Sequence, residues 1–188
     1  MNSQALWFAS RGTGLVCLLL LSGAMVLGAL NSGRFASSGW PRFAIATVHR
    51  NLSLLAVLFL SIHVTTAIID TYAGIRWLDI VIPFGSPYRP LWLGLGSVAC
   101  DLLLALVISS LLRPRINIRF WRALHWTAYL CWPLAVIHGL GTAPADARQT
   151  WVLAFDGACV LAVVAALIWR ASTRHPDTEA RARIGGGT

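Results

Sequence analysis

Five long, nearly uninterrupted apolar stretches constrain this chain more than any other feature. They run from about Thr13 to Leu30, Ala46 to Ile69, Leu91 to Leu112, Phe120 to Leu140 and Thr150 to Trp169. Crossing a bilayer as a helix takes about 20 apolar residues. A membrane β-barrel would show alternation over about ten residues, and these stretches are continuous. A helix bonds every backbone group within its own segment, as hydrocarbon demands. The expected fold is therefore all-α: a polytopic membrane bundle of five transmembrane helices.

Composition agrees. Of 188 residues, 57% are hydrophobic and 12% charged, about half the charge of a soluble domain. The formal net charge is +8, and every one of the fifteen basic residues is Arg. These arginines sit at the ends of apolar stretches, where membrane proteins carry topology signals, and form no one-sided basic stripe. Nucleic acid is not an expected partner; the lipid bilayer is. The four cysteines, Cys17, Cys100, Cys131 and Cys159, are isolated within apolar sequence. They make no CxxC, zinc or CxxCH pattern and read as small buried hydrophobes.

Arginine placement also suggests topology. Five retained spans gather Arg34, Arg42, Arg50, Arg113, Arg115, Arg119, Arg122, Arg170, Arg174, Arg181 and Arg183 on one side, leaving Arg11, Arg76, Arg89 and Arg148 on the other. The positive-inside rule makes the richer side cytoplasmic, with the N-terminus outside and the C-terminus inside. The first stretch could instead be a signal peptide; an uncleaved signal start would need Arg11 inside, against the bias, so a retained helix is favoured. The connection from Asp70 to Pro90 mixes Trp77, Ile80, Val81, Ile82 and Phe84 with three prolines. It suits an interfacial re-entry on the outer face. Residues 171–188 read as a disordered cytoplasmic tail.

The histidines carry the chemistry. His49 and His63 stand 14 residues apart in the second stretch, which is four helical turns less about 40° and about 21 Å along the axis. His125 and His138 stand 13 apart in the fourth, about 19.5 Å by the same rise. The two helices are one hairpin apart and run parallel, so His49 matches His125 near the inner face and His63 matches His138 near the outer. Two imidazoles at each of two depths are what two stacked haems require. Ideal geometry leaves His138 about 140° from His125; Pro133, which removes a backbone bond and bends a helix, is the expected source of the correction. A lone intramembrane histidine is often a packing residue, but four matched in depth mark function. His175, in the tail, carries no role.

His49-Arg50-Asn51-Leu52-Ser53-Leu54, Trp121-Arg122-Ala123-Leu124-His125-Trp126 and His138-Gly139-Leu140-Gly141-Thr142 resemble the ferric reductase-like transmembrane family. That family includes the membrane cores of ferric reductases and NADPH oxidases, and the haem subunit of the bacterial methionine sulfoxide reductase system is similar. The resemblance covers about Gly12 to Arg170, making 12–170 the expected haem-binding domain. It implies two non-covalent b-type haems, the inner held by His49 and His125 and the outer by His63 and His138, with electrons flowing outward. Larger members carry a flavin and nicotinamide domain after the last helix, and the best-known members have six helices rather than five. Here eighteen residues follow Arg170 and no GxGxxG occurs. No flavin is expected within this chain; a separate flavin reductase or a membrane quinol is the expected donor.

Further candidates follow. Arg50, Arg119 and Arg122 cluster at the inner ends of the ligand-bearing helices and suit haem propionates, or else headgroups and topology. Arg76 and Arg89 are weaker candidates at the outer haem. Trp132 lies between the two histidines of the fourth stretch and stands either between the haems or in plain packing. Asp101 and Asp156 read either as proton uptake or as acids bonded to a neighbouring Ser or Arg. Gly94 and Gly96 suit close helix contact.

The sequence thus points to an inner-membrane cytochrome b carrying electrons to an exported redox protein, a ferric complex or oxygen. It is either an electron-transfer subunit or, less favoured, the reductase itself. A rival from another class is a small metal-ion or proton transporter with transient histidine ligands.

Overall fold

The computed structural model describes residues 3–37, 39–142 and 149–172, and among these the secondary structure is entirely helical. The long elements are α1 (Ser3–Ser32), α2 (Arg42–Ile69), α4 (Pro90–Leu111) and α7 (Thr150–Ser172). Between them lie a single turn, α3 (Leu78–Val81), and two shorter helices, α5 (Ile118–His125) and α6 (Ala128–Thr142). Four helices, α1, α2, α4 and α7, are long and apolar enough to cross a membrane. Leu54, Leu55, Leu58, Ile62 and Ile69 of α2 are all exposed on the bundle, a face that hydrocarbon rather than water would cover.

The fourth apolar stretch is not the single helix expected. It divides after His125: the amides of Thr127, Tyr129 and Leu130 each bond a carbonyl three residues back, tightening the backbone where the ladder of four-residue bonds stops. Pro133 was expected to re-aim the helix, but it lies inside α6, and the break falls at Trp126 and Thr127. Proline acts on the carbonyl four residues earlier, that of Tyr129, so it can loosen only the turn after the break. The remaining boundaries shift modestly. α1 begins ten residues before its apolar stretch, and α7 takes in two residues expected in the tail; the rest of the tail, from 173, lies outside the described residues.

α1 is the central element, packed along α2 and also against α6 and α7, while α4 packs on α6. Ala99, Leu103 and Leu106 of α4 close on Cys131 of α6 as the buried core, with the Cys131 thiol donating to the Ala99 carbonyl at 3.3 Å. All four cysteines are free and buried, as small apolar side chains.

The 70–90 connection is an ordered cap. Asp79 is buried and accepts from the Arg76 amide at 2.9 Å and the Arg76 guanidinium at 2.8 Å. That pairing holds its carboxyl below the ordinary aspartate range. Ser97 of α4 donates to the Asp79 carbonyl at 2.7 Å, fastening the cap to the bundle. Phe84 lies where a side chain on Gly94 would stand, which is why that position of α4 has none.

Candidate histidine site between the helices

The structure brings the four membrane histidines together in two pairs. The rings of His49 and His125 have centroids 6.3 Å apart and cross at 70°; those of His63 and His138 are also 6.3 Å apart and cross at 85°. Each pair joins α2 to the divided fourth stretch, and the order along both is the same. α2 therefore runs parallel to α5 and α6.

Three of the four rings are fixed by one repeated device. His63 Nδ1 lies 2.7 Å from the Ser10 carbonyl, His49 Nδ1 2.8 Å from that of Ala24, and His138 Nδ1 2.8 Å from that of Trp92. A carbonyl can only accept, so each Nδ1 carries the proton and each Nε2 keeps its lone pair. Metal-bound imidazoles are held this way: the far nitrogen donates to a fixed acceptor, setting tautomer and ring orientation.

In each case the residue four positions after the accepting carbonyl is glycine: Gly14, Gly28 and Gly96. In a helix that residue's side chain would cover the carbonyl's free lone pair. A methyl group on Gly14 would come within 3.0 Å of the His63 ring, on Gly28 within 3.4 Å of His49, and on Gly96 within 2.5 Å of His138. Glycine is what lets the ring reach the backbone. Sequence reasoning missed this cradle, although its signal is present: Gly14 and Gly28 repeat on α1 at the 14-residue spacing of His49 and His63.

His125 is the exception. Its Nδ1 is buried without a partner. It is held instead by Trp121, whose ring stacks at 4.8 Å and 24° and itself has the Arg113 guanidinium 4.6 Å from its centroid. The α4 position 13 residues beyond Gly96 is Ser109, buried with its hydroxyl on the Leu106 carbonyl. Where a fourth cradle would need glycine, α4 thus has a side chain.

The other candidates divide. Arg50, Arg119 and Arg122 are exposed, on the helices that carry His49 and His125. Trp132 donates to Ser22 of α1 at 2.9 Å. Arg76 is engaged by Asp79, and Arg89 donates to the Gly141 carbonyl at 2.9 Å. Neither aspartate has the hydrogen bond to a neighbouring Ser or Arg that was one expectation. Asp156 is buried with Oδ1 unpartnered, and no such bond to Asp101 occurs among the described residues. A cavity of about 220 Å³ opens beside the His63–His138 pair, reaching from Tyr72 and Tyr88 inward past Arg11 and Asp156.

The family of ferric reductase like transmembrane components matches residues 13–136. The chain belongs to that family. The match takes in His49, His63 and His125 and stops two residues short of His138. Comparison with curated proteins and with solved structures gave no match. This ferric reductase-like chain is thus a multi-pass membrane protein from a redox family, with its histidines paired at two levels.

The pairs also suit a ligated iron. A centroid separation of 6.3 Å leaves room for one metal atom bonded to both rings at about 2.0–2.1 Å, a usual metal–imidazole distance. Two ligands per site are too few to hold a bare ion. They are enough where a macrocycle supplies the remaining bonds.

Proposed function

We propose that this chain is a transmembrane b-type cytochrome holding two haems and moving electrons from a cytoplasmic or quinol donor to an acceptor at the outer face. The observation that carries the reading is the doubled histidine pair, with three of its four Nδ1 atoms donating to helix carbonyls. A transporter binding ions transiently gains nothing from three rings locked in one tautomer, so the cytochrome is preferred.

In this reading α5 and α6 together form a fifth crossing, about 37 Å over residues 118–142. The arginine distribution then puts the N-terminus outside and the C-terminus in the cytoplasm, within an inner (plasma) membrane. His49 and His125 would hold the inner haem, and His63 and His138 the outer. A bound haem supplies reversible one-electron chemistry at iron. The protein's part is to bind, orient and insulate. The Ser10, Ala24 and Trp92 carbonyls keep Nε2 basic on three ligands. The bundle between the pairs excludes ions, and Arg50, Arg119 and Arg122 place positive charge at the inner rim for propionates. The donor is a separate flavin reductase or a membrane quinol. The acceptor is an exported redox protein, a ferric complex or oxygen.

Purified protein expressed with ample haem is expected to show reduced-minus-oxidised b-type bands and two haems per chain by pyridine haemochrome. A colourless protein would refute the cytochrome and favour the transporter. Trp121 offers a finer check. A stacked aromatic pair is worth about 0.5–1.5 kcal/mol beyond burial, so Trp121→Ala should weaken inner haem binding by up to about tenfold, with Trp121→Phe close to wild type. Titration of haem into depleted protein measures this, and equal affinities for the alanine variant and wild type would remove Trp121 from the site.

A further inference from the structure

We infer that Arg11 is the internal anchor for the outer haem, its guanidinium binding a propionate; this rests on the two-haem reading. Arg11 is locked at the level of the outer histidines from both sides. It follows Ser10, whose carbonyl holds His63, and its Nη1 donates at 3.0 Å to the carbonyl of Gly139, the residue after His138. The side chain lines the cavity that both rings border. One edge of the fork is thus used. On the other, Nε is buried and has no partner. Arginine stays protonated in any protein environment, and Nε with Nη2 forms the side-on fork that takes a carboxylate by two parallel bonds. A half-buried cation with an unsatisfied Nε, lining a cavity beside two imidazoles, fits the acidic edge of a porphyrin.

Three carboxylates line the same space: Asp70 accepts from the Tyr72 amide and Asp79 from Arg76, leaving Asp156. Asp156 of α7 is 7% exposed, lines the cavity, and has Oδ1 without a partner. No hydrogen bond or ion pair joins Arg11 and Asp156 among the described residues, and both line the cavity. The repeat on α1 makes the anchor specific to one haem. Fourteen residues on, Ser10 becomes Ala24 and Gly14 becomes Gly28, but Arg11 becomes Met25. At the inner level α1 has the same carbonyl and glycine but offers no arginine of its own.

The test uses full-length protein in detergent, depleted of haem and titrated with haem or with haem dimethyl ester, the outer signal being the one lost in His138→Ala. Arg11→Gln should weaken outer haem binding by tenfold or more while the inner haem stays, which also shows that the bundle folds. Wild type titrated with the dimethyl ester should already show the weakened outer site, and Arg11→Gln should weaken it no further. Asp156→Asn should retain both haems. Wild-type outer affinity in Arg11→Gln would overturn the anchor, as would equal loss with haem and ester. So would an Asp156→Asn variant that copies Arg11→Gln, because Arg11 would then serve only as a countercharge. A wild type binding fewer than two haems refutes the parent reading itself.

Discussion

A chain carrying His138→Ala is expected to purify with half its haem, keeping the inner centre and losing the outer one entirely. The expectation follows from geometry. The ring centroids of His138 and His63 are 6.3 Å apart, and in the proposed reading each would supply one of only two protein bonds to the outer iron. His63→Ala should give the same spectrum, and the double variant should do no more than either alone, since both remove one centre. His49→Ala and His125→Ala should produce the complementary loss. The measurement is haem content per chain, with redox titration to assign the surviving centre. Retention of both haems in either single outer variant would dismiss these ligands.

The second large effect is expected at a residue that bonds nothing. Gly96→Leu should abolish the outer haem as fully as loss of His138, because the side chain would occupy the space of the His138 ring and deny its Nδ1 the Trp92 carbonyl. Interior overpacking of this kind costs about 1–3 kcal/mol, and here it falls on a ligand. Gly139 is the control. It neighbours His138, yet a methyl group there would meet nothing within 4 Å. Replacing a helical glycine by alanine removes a penalty of up to about 1 kcal/mol, so Gly139→Ala should keep both haems and raise thermal stability slightly. Equal haem content in Gly96→Leu and Gly139→Ala would show that the cradle does not matter.

Much of this was readable in the sequence. The apolar stretches located the helices, because in hydrocarbon the only choice open to a continuous apolar run is to satisfy its own backbone. The 14- and 13-residue histidine spacings anticipated which rings meet, because depth follows from rise per residue alone. Rotation proved less legible. The break after His125 comes from local three-residue bonding at Trp126 to Leu130, which no residue there announces as plainly as Pro133 advertises a break that in fact falls before it. Arg11 was assigned to topology because a charge near a helix start ordinarily marks a boundary; only packing shows the helix beginning at Ser3, with Arg11 turned inward against Gly139. The glycines of the cradle were hidden for another reason. Each is defined by an acceptor four residues earlier and by a ring on another helix, so the Gly14–Gly28 repeat gains its meaning only beside the histidine spacing of α2.

The placement of the cradles also dictates an order of assembly. α1 and α2 form one antiparallel hairpin, and within residues 3–69 it already holds one histidine of each level, oriented by its own carbonyls. Half of both grips therefore exists once the ribosome has made little more than a third of the protein. The opposing halves come much later and thirteen codons apart: His125 completes the first grip, and His138 the second. On the two-haem reading each porphyrin would wait for its second jaw, and the one held by His49 and His125 would be seized first.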